Sequence, residues 1–106
     1  MDESLVEARI YNHSEWIRDI NHETLKESFR EILLKSGFGL LSQMEHHFEP
    51  QGYTCIWLLA ESHFAIHTFP EESTTYIELT SCNKEMYDQF LIHLEAYKEN
   101  EQALRY

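Results

Sequence analysis

The sequence predicts an α+β protein, a two-layer sandwich of an antiparallel β-sheet with two helices on one face. Three observations lead there. Two stretches, 25–33 and 87–97, carry apolar residues at helical spacing. Five others alternate in polarity or are rich in β-branched and aromatic residues. Their order is β-α-β-β-β-β-α, a run of strands between two amphipathic helices.

Each element has its own local signal. The first strand is expected over 5–11, where Val6, Ala8 and Ile10 alternate with Glu7 and Arg9. Asn21 offers a helix N-cap, and Leu25, Phe29, Ile32 and Leu33 follow at i, i+4, i+7 and i+8 as one apolar stripe. Gly37 closes that helix. Residues 38–48 read as the second strand, and Pro50-Gln51-Gly52 as a turn. Residues 53–60 form a third strand, apolar enough to be buried on both faces. Alternation restarts over 63–69, where Pro70 stops it. Residues 74–80 form the last strand by β-propensity. Asn83 caps the second helix, which buries Tyr87, Phe90, Leu91, Leu94 and Tyr97. The tail from Lys98 is polar and is expected to fray.

The 106 residues make one domain, 1–106, with no repeat, low-complexity tract or linker. A chain of this size buries roughly two-thirds of its unfolded surface, enough for a core without staples. The net charge of -11 argues against nucleic acid and anionic membranes as partners. It suits solubility or a cationic small molecule. Two cysteines, Cys55 and Cys82, are too few for a disulfide scaffold. With no secretory or membrane-length apolar run, a cytoplasmic protein with reduced thiols is expected.

The segment Leu-Ala-Glu-Ser-His-Phe-Ala-Ile-His-Thr-Phe-Pro-Glu over 59–71 concentrates chemistry on a strand. Ser62 follows Glu61 directly, and His63 and His67 stand four apart, on one face of a strand. There is no Gly-x-Ser-x-Gly elbow, which excludes an α/β-hydrolase. His46, His47 and Cys82 could join the histidines around a metal, but nothing in the spacing defines such a site, and no metal is expected. Taken alone, each residue also has an ordinary structural reading. Ser62 suits a hairpin turn, His67 a half-buried strand position, and Cys82 a small core hydrophobe. Phe48 and Phe69 suit the core and Glu71 the solvated surface. His63 could simply position the loop. His13, His22 and His93 read as surface histidines.

The wider block over 47–71 resembles the heart of the bacterial-type S-adenosylmethionine decarboxylase proenzymes. That family reads His or Arg, then Phe-x-Pro-x-Gly, an apolar strand, and Ala-Glu-Ser-His-x-x-Ile-His-Thr-Trp-Pro-Glu. Every spacing is kept here, and Cys82 follows Ser62 at the family's distance. The close resemblance covers 48–82, about a third of the chain. It implies self-processing. The Ser62 hydroxyl would attack the Glu61 carbonyl, and elimination would cut the chain between Glu61 and Ser62. Residues 1–61 and 62–106 would become separate chains, with a pyruvoyl cofactor where Ser62 stood.

By the same resemblance, His67 removes the proton in the elimination, a task suited to an imidazole titrating near neutrality. Thr54 stands where relatives carry a serine that assists. The pyruvoyl ketone would hold the substrate amine as a Schiff base and act as electron sink. Cys82 matches the acid that protonates the product carbanion, since a thiol of ordinary acidity is mostly protonated at neutral pH. Phe48 matches a ring that stacks on adenine, Phe69 replaces the usual tryptophan, and Glu71 matches a carboxylate for ribose hydroxyls. A homodimer is implied, with sites near the protomer interface.

The sequence departs from the family pattern in three places. Pro-Glu-Glu-Ser-Thr-Thr-Tyr replaces Pro-Glu-Tyr-Gly-Tyr-Ala, Asn83 replaces the glycine after the acid, and Cys55 replaces a strand glycine. A final strand usual after the second helix is expected to be missing here. The changes lie near the substrate pocket. The substrate is therefore expected to be a cation, S-adenosylmethionine for spermidine synthesis, with ornithine or arginine as the alternative and a non-processing regulatory relative as a third reading.

Overall fold

Antiparallel pairing dominates the structure, a computed structural model that describes residues 9–103. Five strands, β1 (Tyr11–Ile17), β2 (Leu40–His47), β3 (Tyr53–Leu59), β4 (Ser62–Phe69) and β5 (Thr74–Ser81), form one sheet in the order β1-β5-β4-β3-β2. Every neighbouring pair is antiparallel. Helices α1 (His22–Lys35) and α2 (Lys84–Ala103) pack on one face, giving the expected α+β sandwich.

Helix α1 starts and stops where its capping chemistry dictates. The Asn21 side chain accepts the Thr24 amide at 3.0 Å. At the far end Ser36 is the C-cap, and Gly37 takes φ +100°. Phe38 N–H then reaches Leu33 O at 3.1 Å and Gly37 N–H reaches Leu34 O at 3.0 Å, the paired bonds of a Schellman motif. Leu25, Phe29, Ile32 and Leu33 are buried, as their spacing predicts. Helix α2 is capped by Asn83, whose Oδ1 accepts the Met86 amide at 2.9 Å. Phe90 and Leu94 are its fully buried positions, while Tyr87, Leu91 and Tyr97 pack at the margin.

The core is aromatic at its centre. Phe64 of β4 stacks on Phe29 at 5.2 Å and Trp57 at 6.1 Å, and meets Phe90 at 5.5 Å. Strand β4 thereby joins both helices to the sheet.

Three expectations are corrected. The first strand lies at Tyr11–Ile17 rather than 5–11; Arg9 and Ile10 are outside any strand, and 5–8 lie outside the described residues. Hydropathy missed it because two of its helix-facing positions, His13 and Glu15, are polar and satisfied by pairing. Glu15 receives His13 Nε2 and Lys98 Nζ, each at 2.8 Å. Strand β3 is buried on one face only: Ile56 and Leu58 are 39% and 53% exposed, because both helices lie on the opposite side. The tail beyond Lys98 is helical to Ala103. Lys98 clamps Glu15 and Glu95, and Glu101 accepts the Asp19 amide at 2.8 Å, tying the helix end to the chain after β1.

Two outcomes follow. Phe64→Ala should lower unfolding stability by about 3–5 kcal/mol in urea denaturation, since it opens a cavity among three rings. The Glu15 carboxyl is pushed up by burial, but hydrogen bonds from Lys98 and His13 outweigh this and hold it below the ordinary range. A depressed carboxyl contributes stability above its unfolded value, near 4.3, that is lost as pH falls through the folded one. Glu15→Gln should therefore show a smaller stability loss between neutral pH and about pH 3 than the parent, in urea melts across that range.

Candidate active site

The β3–β4 hairpin turns through Ala60 and Glu61, with Leu59 opposite Ser62. Glu61 takes φ +67°, a left-handed conformation uncommon for a residue with a side chain. Ala60 N–H is held by Gly39 O at 2.9 Å. Ser62 begins β4 with its side chain on the helix face and 7% of the residue exposed. Among the described residues, its Oγ is the buried side-chain polar atom left without a hydrogen-bond partner. Across the ladder stands Ser81, whose Oγ accepts the Asn83 amide at 3.0 Å. The next residue, Cys82, is exposed, and its thiol donates to the Glu61 carbonyl oxygen at 3.1 Å. The Glu61 carboxylate lies 3.6 Å from the same sulfur.

This end of the sheet thus combines an unengaged hydroxyl, a polarised carbonyl on the preceding residue and a strained turn between them. Those are the parts an N→O acyl shift needs. The donor set would fit a pyruvoyl group derived from Ser62: the residue is shielded from water, and Cys82 stands at the Glu61–Ser62 peptide.

The other end carries a row of side chains across all five strands. Trp16, Tyr76, His67, Thr54 and His46 are successive cross-strand partners on the face away from the helices. Thr54 Oγ1 lies 2.9 Å from His67 Nδ1, so in either tautomer Nε2 is left for proton exchange. Tyr76 stacks on the imidazole at 6.3 Å and 28°. Beside the row is a cleft of about 320 Å³, lined by Phe48, Gly52, Thr54, His67, Phe69 and Glu71 among others. Phe48 is 50% exposed and braced edge-on by His46 at 4.5 Å. Phe48 N–H bonds Gly52 O at 2.8 Å, and Gly52 at φ +114° makes that reversal possible. Glu71 sits on the short 3₁₀ turn Pro70–Glu72 that ends β4.

The structure therefore divides the predicted residues. Glu61, Ser62 and Cys82 meet at one end; Phe48, Thr54, His67, Phe69 and Glu71 meet at the other. Ser62 and His67 are five residues apart on one strand, about 17 Å at 3.3 Å per residue, and the odd spacing puts them on opposite faces. Within one folded chain they do not touch. His63 shares a face with His67, as the spacing predicts, but lies at the Ser62 end. His46 and His47 point to opposite faces of β2, and no group of three or more metal-ligating side chains gathers among the described residues. Among those residues, no helix is long and apolar enough to cross a membrane. Sequence reasoning missed the place of Trp16 and Tyr76 in this row and considered His46 only as a possible metal ligand; the row's signal was strand alternation read with the sheet register.

Comparison with known proteins adds an independent line. The family model described as S-adenosylmethionine decarboxylase matches residues 8–103. The S-adenosylmethionine decarboxylase proenzyme of Prochlorococcus marinus is 46% identical over 48 residues, covering 45% of this chain and 38% of its own. That of Geobacillus sp. is 37% identical over 60 residues, covering 57% and 48%. That of Thermosipho melanesiensis is 30% identical over 79 residues, covering 74% and 60%. The matched parts thus span between about two-fifths and three-fifths of these curated relatives. The crystal structure of the adenosylmethionine decarboxylase from Aquifex aeolicus shares the fold at a TM-score of 0.71 and 17% identity, over 89% of this chain and 83% of that one. With most of its length matched by the family model, the chain belongs to the S-adenosylmethionine decarboxylase family.

Proposed function

We propose that this protein is a self-processing, pyruvoyl-dependent decarboxylase of S-adenosylmethionine, and that each working site is assembled from two copies of the chain. One observation carries the reading: the Ser62 end and the His67 end hold complementary halves of one chemistry, yet lie about 17 Å apart on a single strand. The sheet face away from the helices is open and carries Trp16, Met44, Ile56, Leu58 and Phe69 exposed. A second copy turned end for end on that face would bring its hairpin end, with Ser62 and Cys82, toward the cleft of the first, and two-fold symmetry would make the contact reciprocal.

Processing uses the chain's own atoms. Ser62 Oγ bonds to the Glu61 carbonyl carbon as the amide C–N bond breaks, forming an ester and freeing the Ser62 amine. The Cys82 thiol donates to the carbonyl oxygen as charge grows there. Removal of the Ser62 Cα proton, by His67 Nε2 of the other copy, expels the Glu61 carboxylate. Water then replaces the nitrogen, which leaves as ammonia, and 1–61 separates covalently from 62–106.

The pyruvoyl group supplies an electron sink for the electrons released with CO2. This chain's residues do the rest. Phe48 and Phe69 wall the cleft and exclude water, the Glu71 carboxylate accepts hydrogen bonds from substrate hydroxyls, and Cys82 Sγ holds the proton delivered to carbon. Net charge of -11 suits a sulfonium substrate. The product serves spermidine synthesis, and a reducing cytoplasm keeps both cysteines as the free thiols they are here.

Intact mass spectrometry tests the cut. The parent should give two fragments with a keto group in place of the Ser62 amine, and Ser62→Ala a single full-length species. Neither Ser62→Ala nor His67→Ala should mature efficiently alone; unfolded and refolded together, they should restore cleavage of the His67→Ala chain. Absence of cleavage in the mixture, with both chains folded, excludes the two-copy site. Cys82→Ala that has matured should release CO2 from S-adenosylmethionine about 10²–10⁴-fold more slowly, the usual contribution of a general acid. Undiminished turnover removes Cys82 from that role.

A further inference from the structure

Ser81 is the last residue of β5 and is fully buried. It stands directly opposite Ser62 across the β4–β5 ladder, so the two hydroxyls share the helix-facing side. A buried hydroxyl needs partners, and Ser81 finds both in one residue. Its Oγ accepts the Asn83 N–H at 3.0 Å and donates to the Asn83 carbonyl oxygen at 3.3 Å. These bonds fold the chain tightly around the residue between them, Cys82. The thiol then projects past the end of the ladder and donates to the Glu61 carbonyl oxygen at 3.1 Å. Asn83 Oδ1 also accepts the Met86 amide at 2.9 Å, which anchors the turn to α2. With its hydrogen directed at Asn83, Ser81 has none to offer Ser62. The Ser62 oxygen is left without a hydrogen-bond partner, its lone pairs free for attack.

We propose that Ser81 is a positioning residue for self-processing. It folds the Ser81–Asn83 turn so that the Cys82 thiol meets the Glu61 carbonyl, and it leaves the Ser62 hydroxyl unengaged. This deepens the proposed processing reaction and rests on it. No atom of Ser81 joins the bond exchange; the residue acts through Cys82. Without its hydroxyl the Asn83 amide loses its acceptor, and the turn is free to relax.

Two measurements test this. The first needs no cleavage: the infrared S–H stretch of Cys82 in the full-length Ser62→Ala chain. Subtracting the spectrum of the same chain with Cys82→Ala removes the contribution of Cys55. A thiol that donates a hydrogen bond absorbs at lower frequency than a free one. Adding Ser81→Ala should move the band up, and Ser81→Thr, which keeps the hydroxyl, should hold it in place.

The second is the rate of maturation, followed by intact mass in chains that keep Ser62. Ser81→Ala should slow it roughly 2- to 12-fold, the alignment worth of one hydrogen bond, and Ser81→Thr should restore it. In a Cys82→Ala background Ser81→Ala should slow it no further, because both changes remove the same contact. Slowing that is as large without the thiol, or a band that does not move, overturns the assignment whatever threonine does. A parent that stays full length while the band still moves with Ser81→Ala overturns the self-processing reading and upholds the placement of the thiol by Ser81.

Discussion

Strand β4 is hydrogen-bonded along both edges, to β3 and β5, and the rest of the molecule depends on that double register. A strand held on two sides cannot slip by one residue without turning its inward side chains outward. Phe64 and Ile66 therefore stay in the core, and Ser62 stays under the helices at the hairpin. His67 stays on the open face beside Thr54. The same register that builds the core thus separates the hydroxyl from the imidazole.

That separation makes each end intelligible on its own terms. Around Ser62 the backbone carries the unusual geometry: a left-handed Glu61, a carbonyl receiving a thiol and a buried hydroxyl without a hydrogen-bond partner. Around His67 the backbone is ordinary strand, and the side chains matter. They form a hydrogen-bonded, stacked row that fixes the imidazole between Thr54 and Tyr76.

Charge is distributed in keeping with this division. The sequence has 8 Lys and Arg against 19 Asp and Glu. Three of the lysines are committed to Glu45, Asp88 and the Glu15–Glu95 pair. The excess of carboxylates is left on the surface, including the short turn beside the cleft. The exposed Lys84–Asp88 pair adds little stability, so its main effect is on where unneutralised negative charge remains.

The helices and most strands were legible in the sequence because their causes are local. Asn21, Gly37 and Asn83 act within a turn of where they stand, and the stripe from Leu25 to Leu33 needs only helical periodicity. The residues of the candidate site could be singled out in the sequence too, because their types and spacings persist whatever the chain packs against. Strand β1 was misread because His13 and Glu15 face inward through a pairing with Lys98, which lies in the other helix. The exposed side of β3 was misread because an apolar strand does not state how many layers will cover it. Local preference and residue chemistry determined the elements and marked the chemistry-bearing side chains. Only tertiary structure decided which parts meet: contacts across a sheet depend on the pairing of distant segments, as the row from Trp16 to His46 illustrates.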